Sequence, residues 1–364
     1  MVCSVDERRQ SRGAPGRRRI VQTDYRAPIG KKFVHKASEK SSKSTTKYSE
    51  SRKKTPYELW ADQIIDMGIR NIRREFVTAV RAYIPSGTTN AWEADKNYEK
   101  NRYEDVKLLD KTRVVLKDTP NDEDYYHASY VQTGENIKFI CAQGPLPNTI
   151  EDFWCMVIQE DSKVIIQLCQ WTEEGKTQCT EYFPSGDWES KNYGAICVKI
   201  VEKTTPMTQL RKVYRTKLEA VYKDKKHEVL HLLYGGWPDH FVPDSTSVCR
   251  EVRTLALKFC EKKPITVHCS AGIGRTGAFA AVFMAVDRLK RTENLSIPDI
   301  VKELRNQRMH AVQNDQQYLF IYRMVIEILL AEDLLAKTAD IISLIKEYDD
   351  LIARKRQERN QKKK

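Results

Sequence analysis

The chain has 364 residues, 40% of them hydrophobic and 31% charged, with a mean hydropathy of −0.60. No apolar run approaches the roughly 20 residues that a membrane-spanning helix needs, which excludes such a helix, and the opening MVCSVDERRQ carries charge where a secretory leader needs an apolar stretch. The net charge of +12 sits in the ends: residues 1–60 carry sixteen Lys/Arg against six Asp/Glu, residues 354–364 seven against one, and residues 61–353 are mildly acidic at −4. No specific nucleic-acid surface is expected on such a body. The basic ends read as solvated tails, or as segments attracted to acidic membrane, nucleic acid or a nuclear import receptor. Nine cysteines, an odd number with no C-x-x-C pair, argue against a disulfide framework and a zinc site. A reducing compartment is expected, cytoplasm first and nucleus second.

Residues 1–54 are rich in Ser, Lys, Arg and Gly without a sustained apolar period, so this segment is expected to be disordered. At TPYELW, Thr55 suits a helix N-cap, Pro56 its first turn and Glu58 a capping box. Leu59, Ile64, Ile65, Ile69, Ile72, Phe76 and Val80 then recur at helical spacing, with an interruption near Gly68. From about 103 to 240 the pattern turns to short strand-like runs, chiefly KFICAQG, KVIIQLCQW, AICVKIVEK, RTKLEAVY and HEVLHLLYGG. A helix at about 244–260 precedes the buried strand ITVHC, and three further helices follow. One α/β domain over 55–331 is expected, a mixed sheet with helices on both sides. Beyond it, residues 332–364 hold an amphipathic helix and a basic tail. The helix packs on the domain, or serves a partner or a short coiled coil.

The run PITVHCSAGIGRTGAF carries the chemistry. An apolar strand ends at Cys269; Ser270, Ala271, Gly272, Ile273 and Gly274 form a turn; Arg275, Thr276 and Gly277 open a helix. A glycine-bearing turn feeding a helix N-terminus aims backbone N–H groups inward, and the helix dipole adds partial positive charge, which makes an anion site. Arg275 adds a planar fork suited to two phosphate oxygens. The same field favours the thiolate of Cys269, a nucleophile poised for phosphorus. Thr276 is placed to hydrogen-bond that sulfur and assist its later departure.

The string HCSAGIGRTG resembles the signature loop of the tyrosine-specific protein phosphatase family. KNRYEDV (100–106), DYYHASYV (124–131), FICAQGPL (139–146), WPDHFVP (237–243) and VQNDQQYLF (312–320) follow the family's motifs in the family's order. The resemblance, to non-receptor members with a single catalytic domain, implies the cysteine-dependent phosphatase fold, a twisted mixed sheet flanked by helices on both sides. It also implies hydrolysis of phosphotyrosine in proteins through a phosphocysteine, with phosphotyrosyl proteins as partners, a monomeric chain and no cofactor or metal.

A proton donor for the leaving phenolate is required, and Asp239 in GGWPDHFVP is the candidate. Trp237 and Pro238 flank it stiffly, and Gly235 and Gly236 offer a hinge; the plainer reading is an Asp that caps the next helix. By resemblance, Tyr103 stacks on the substrate ring and sets a cleft depth that only phosphotyrosine spans, and Asp105 holds substrate backbone amides. Gln313 and Gln317 orient phosphate and the attacking water, while Glu173 (or its neighbour Glu174) braces Arg275. His268 stabilises the loop. Four positions depart from the pattern: Phe241 for glycine, Asn314 for threonine, Gln178 near a usual lysine and His127 for asparagine. Phe241 and Gln178 bear on loop closure, so turnover slower than in typical relatives is expected. The competing readings are a phosphotyrosine-binding pseudophosphatase, against which Cys269, Arg275 and Asp239 all stand, and a dual-specificity or lipid phosphatase, against which Tyr103 stands.

Overall fold

A computed structural model describes residues 52–362, apart from 121–122, 135, 208 and 292–293. The N-terminal segment up to residue 51, with Cys3, and the last two lysines lie outside the described residues. The first helix, α1 (Pro56–Glu75), begins as its residues dictate: the Glu58 N–H donates to Thr55 Oγ1 at 3.2 Å and the Thr55 N–H donates to the Glu58 carboxylate at 2.8 Å. Gly68, at φ 67°, breaks its line, and a π-turn (Phe76–Val80) continues it. Trp60, Ala61, Ile64, Ile69 and Ile72 form the buried face. Leu59, expected there, is exposed, because its neighbour Trp60 takes the inward position and stacks on Tyr322.

The chain continues through a single turn, α2 (Asn90–Glu93), into strands β1 (Arg113–Val115), β2 (Tyr125–Gln132) and β3 (Lys138–Ala142), then α3 (Ile150–Gln159) and β4 (Val164–Gln167). The hairpin β5 (Thr172–Glu173) and β6 (Lys176–Thr177) follows, then β7 (Ser190–Tyr193), β8 (Ile196–Pro206), β9 (Val213–Tyr222) and β10 (Lys225–Tyr234). After α4 (Thr246–Phe259) come β11 (Ile265–His268), α5 (Arg275–Arg291), α6 (Ile297–Arg305), α7 (Asp315–Ala331) and α8 (Ala339–Gln361). The stretch read as purely strand-like thus contains α3. Its ring-rich sequence mimics a buried strand, and only the spacing of Ile150, Phe153, Trp154 and Val157 gives it away.

Among the described residues, nine strands form one sheet in the order β1-β2-β3-β11-β4-β10-β9-β8-β7. The central four, β3, β11, β4 and β10, are parallel; the flanking pairs are antiparallel. Strand β11 is buried on both faces, and its alternation shows what covers each. Phe139, opposite Ile265, packs on Phe279 and Phe283 of α5, while His268 on the other face packs on Phe153 of α3. The sheet is therefore mixed and flanked by helices. Helix α8 lies against α1 and buries Ile341, Leu344, Tyr348, Leu351 and Ile352. No helix among the described residues is long and apolar enough to cross a membrane.

The α3 face is a layer of rings. Phe153, Trp154, Trp171, Tyr182, Phe183, His231 and His268 meet at centroid distances of 4.7–6.4 Å. His268 Nδ1 lies 3.1 Å from the Cys269 carbonyl, which can only accept, so Nδ1 carries the proton and Nε2 accepts from the Tyr182 hydroxyl at 2.9 Å. Burial pushes His268 down to about 4 and His231 to about 3. On β2, burial and the facing Arg308 guanidinium push His127 to about 3.

Two outcomes follow from this layer and from His127. Phe153→Ala is expected to cost roughly 3–5 kcal/mol, read by urea unfolding, because the site is closed on all sides by rings. The three histidines are neutral in the folded chain, whereas the unfolded chain protonates them below about pH 6.5. Their contribution is present above that pH and is lost as pH falls toward 4, by on the order of 1 kcal/mol per histidine per pH unit. Unfolding midpoints at pH 7 and pH 5 measure the loss.

Candidate active site

The four parallel strands end at one edge of the sheet, and the loops that leave those ends build the site, as expected for ligand sites at the carboxyl ends of parallel strands. Strand β11 delivers Cys269, 3% exposed, into the turn that opens α5. The Gly272 N–H donates to Cys269 Sγ at 3.2 Å. Gly272 sits at φ 69°, and a side chain there would collide with the Ala142 carbonyl of β3. Behind the turn, Arg308 is fully buried and donates to the carbonyls of Gly272 (3.1 Å) and Ala271 (3.0 Å). Its Nη2 also meets His127 Nδ1 at 3.0 Å, while His127 Nε2 donates to the Val106 carbonyl. The departure from asparagine at 127 is thereby accounted for: the imidazole links the turn's support to the loop bearing Tyr103.

Arg275, at the first position of α5, has a side chain 0% exposed. Its Nη1 donates to Glu173 Oε1 at 2.6 Å and to the Trp237 carbonyl at 3.0 Å, and its Nη2 to Asp239 Oδ1 at 3.0 Å. Burial works against its charge, but the facing Cys269, Cys169, Asp239 and Glu173 outweigh burial and hold it firmly protonated. Glu173 takes the bracing position, and its Oε2 also accepts from the Asp239 N–H at 3.2 Å. Its aim comes from the β5–β6 turn, where Glu174 (φ 52°) and Gly175 (φ 75°) are both left-handed, the two-residue hairpin geometry. Gln178 lies 3.5 Å from Arg275 Nη2.

The loop bearing Trp237 and Asp239 leaves β10. Trp237 is buried against Phe320, and its Nε1 donates to the Phe241 carbonyl at 2.9 Å. Asp239 does not cap α4; Ser245 does, accepting from the Val248 N–H. A cavity of about 710 Å³ is lined by Cys269, Ser270, Ala271, Ile273, Tyr103, Asp105, Asp239 and Gln313, among others. Tyr103 reaches down from its rim, its hydroxyl 2.8 Å from Ser270 Oγ. Arg102, beside it, donates to the carbonyls of Gly144 and Pro145 and so fixes the Tyr103 segment to the end of β3. Gln317 Oε1 accepts from the Gln313 N–H, and both glutamines crowd Gly274, where a side chain would strike them. Thr276 Oγ1 makes no contact with the sulfur; it is buried without a protein partner, as are Arg275 Nε and Gln317 Nε2.

Arg308 and Arg102 were not singled out from the sequence. Arg308 sits in IPDIVKELRNQR, where it reads as a helix-end cation, and its targets are carbonyls, which carry no side-chain signature.

Residues 97–327 match the family model for protein-tyrosine phosphatase. Protein-tyrosine-phosphatase PTP1 of Arabidopsis thaliana is 38% identical over 257 residues, covering 66% of this chain and 73% of that protein. Tyrosine-protein phosphatase non-receptor type 7 of Homo sapiens is 33% identical over 278 residues, 73% of each. The Lar-like tyrosine-protein phosphatase of Caenorhabditis elegans is 37% identical over 67% of this chain, which spans only 11% of that much longer relative. A solved structure described as "Structural basis of PTPN18 fingerprint on distinct HER2 tyrosine phosphorylation sites" superposes with a TM-score of 0.62 at 28% identity, covering 76% of this chain and 95% of its own. With this sheet, this turn and these relatives, the chain belongs to the protein-tyrosine phosphatase family.

Proposed function

We propose that the chain hydrolyses phosphotyrosine in protein substrates, with Cys269 as nucleophile, Arg275 as phosphate clamp and Asp239 as acid and then base. One observation carries the reading: a thiol, a buried guanidinium and a carboxylate meet at one turn, beside three buried polar atoms, Arg275 Nε, Gln317 Nε2 and Thr276 Oγ1, that no protein group satisfies. Buried polar atoms are ordinarily paired, so three together around a helix N-terminus suit an oxyanion ligand.

The phosphoryl group enters between Cys269 and Arg275 and takes the guanidinium face that Asp239 Oδ1 occupies. Cys269 Sγ forms a bond to phosphorus as the bond to the tyrosyl oxygen breaks, and Asp239 donates its proton to that oxygen. In the second step Asp239 takes a proton from water held by Gln317 and Gln313. The water oxygen bonds to phosphorus, the P–S bond breaks, and inorganic phosphate leaves with the thiolate restored. Thr276 Oγ1, free of other partners, suits a hydrogen bond to the departing sulfur. Backbone N–H groups of residues 270–274 and the Arg275 fork stabilise the equatorial oxygens.

Tyr103 at the rim supports phosphotyrosine over shorter phosphoserine, and Asp105 at the mouth suits the amides of a bound peptide. The PTPN18 relative, described with phosphotyrosine sites of HER2, supports a protein substrate here too. The limits 55–331 for the catalytic domain, a monomeric state and a cytoplasmic location belong to the same proposal.

Cys269→Ser is expected to abolish turnover of a phosphotyrosyl peptide while retaining its binding. Asp239→Ala should lower kcat by roughly 10²–10⁴-fold with KM little changed. Steady-state kinetics on phosphotyrosyl and phosphoseryl peptides check the rates, calorimetric titration of the peptide into Cys269→Ser checks the binding, and equal rates on the two peptides would point to a dual-specificity enzyme.

A further inference from the structure

The acid loop is held from a direction that the chemistry above does not use. Helix α8 is anchored on the core by Ile341, Leu344, Tyr348, Leu351 and Ile352, and its 23 residues run about 35 Å from the Thr338 cap. Its last turns end at the acid loop. Arg359 Nη1 donates to the main-chain carbonyl of Asp239 at 2.6 Å, and Nη2 pairs with Glu174 Oε1 at 2.6 Å. One turn earlier the Arg356 guanidinium lies over the Phe241 ring, 5.8 Å from its centroid. From the N-cap of α7, Asn314 Nδ2 donates to the His240 carbonyl at 3.1 Å. Two of the positions that depart from the family pattern, Phe241 and Asn314, are thus contacts of this same grip.

A planar fork fits this task. It holds two acceptors at once in fixed geometry, one on the loop and one on the hairpin whose preceding residue, Glu173, already binds Arg275 and the Asp239 N–H. The Asp239 peptide is therefore gripped at both ends, by Glu173 on its nitrogen and by Arg359 on its oxygen. We propose that Arg359 is a positioning residue for the acid step: it holds the Asp239 main chain so that the carboxyl reaches the leaving oxygen, with Glu174 orienting the guanidinium and the Arg356–Phe241 contact seating the helix end. This rests on the reading of Asp239 as general acid.

A residue that acts only through the acid has a distinct kinetic signature. A leaving group with a pKa near 10, such as phenol, needs the proton, whereas a strongly acidic phenol such as dinitrophenol departs without it. kcat/KM, which ends at formation of the phosphocysteine, is measured for phenyl phosphate and for dinitrophenyl phosphate with the full chain. Arg359→Ala is expected to lower the phenyl phosphate value about tenfold and to leave the dinitrophenyl phosphate value within about twofold. Arg359→Lys should recover part of the loss, because an ammonium keeps the charge and the donors but lacks the planar fork that fixes two acceptors in one geometry, and Glu174→Gln should show a smaller loss in the same direction. In an Asp239→Ala background, Arg359→Ala should add nothing further. Thermal unfolding confirms that each variant is folded. An unchanged leaving-group dependence, an equal loss on both substrates, or full additivity with Asp239→Ala would each overturn the proposal. Activity that survives Cys269→Ser would instead overturn the phosphocysteine reading, which is measured separately.

Discussion

A guanidinium with no solvent exposure sits at the first turn of α5, where the helix dipole itself disfavours positive charge. Much of the site can be read as the means of keeping that charge there. An isolated buried cation costs several kcal/mol, and only close, hydrogen-bonded anions and dipoles offset it. Arg275 obtains them from two loops: the carboxylates of Glu173 and Asp239, and the Trp237 carbonyl. The β5–β6 hairpin must turn tightly enough to aim Glu173, and the loop after β10 must fold over the site. The compensation comes from two separate segments, since Glu173 sits on the β5–β6 hairpin and Asp239 on the loop after β10.

The turn itself is held from the opposite side by a second buried arginine. Arg308 faces carbonyl oxygens and a neutral imidazole, so it organises the backbone without competing for an anion. One arginine thus spends its donors on the carboxylates of Glu173 and Asp239 and the other on the main chain of the turn. The neutrality of His127 and His268 matters here, because a charged imidazole on either side of Cys269 would repel both guanidinium groups. Burial keeps them uncharged.

The parts of this arrangement that were legible in the sequence are those where a residue type is needed for its own chemistry. A thiol, a glycine-bearing turn and an arginine in fixed order announce the turn between β11 and α5, and the Thr55–Glu58 box and the break at Gly68 announce α1. Resemblance supplied Asp239, Tyr103 and the glutamines, and it put Glu173 in its place beside Arg275, though it left Glu174 as an alternative. What stayed hidden has a common cause. Arg308, Arg102 and Arg359 act on backbone carbonyls far away in the chain, and a carbonyl is present at every residue. Helix α3 was hidden for another reason: residues 153–158, FWCMVI, are an unbroken apolar run of strand length, and such a run reads equally as a buried strand. Thr276 was expected on the sulfur, and in this state the Gly272 N–H holds that place.

Strand β11 lies between β3 and β4, whose residues precede it by 101 to 126 positions, as Thr266 paired with Ile165 and with Ile140 illustrates. Such pairings are slow to form, because the loop entropy is spent before any contact is gained. Until β11 slots in, β3 and β4 each present an open edge of apolar backbone, the kind of surface on which partly folded chains associate. The strand that closes this gap is the one that carries Cys269 at its end. The Cys269 thiol therefore acquires its setting in the same event that removes the two sticky edges, and a chain caught midway through folding has neither a shielded sheet nor the turn that surrounds Cys269.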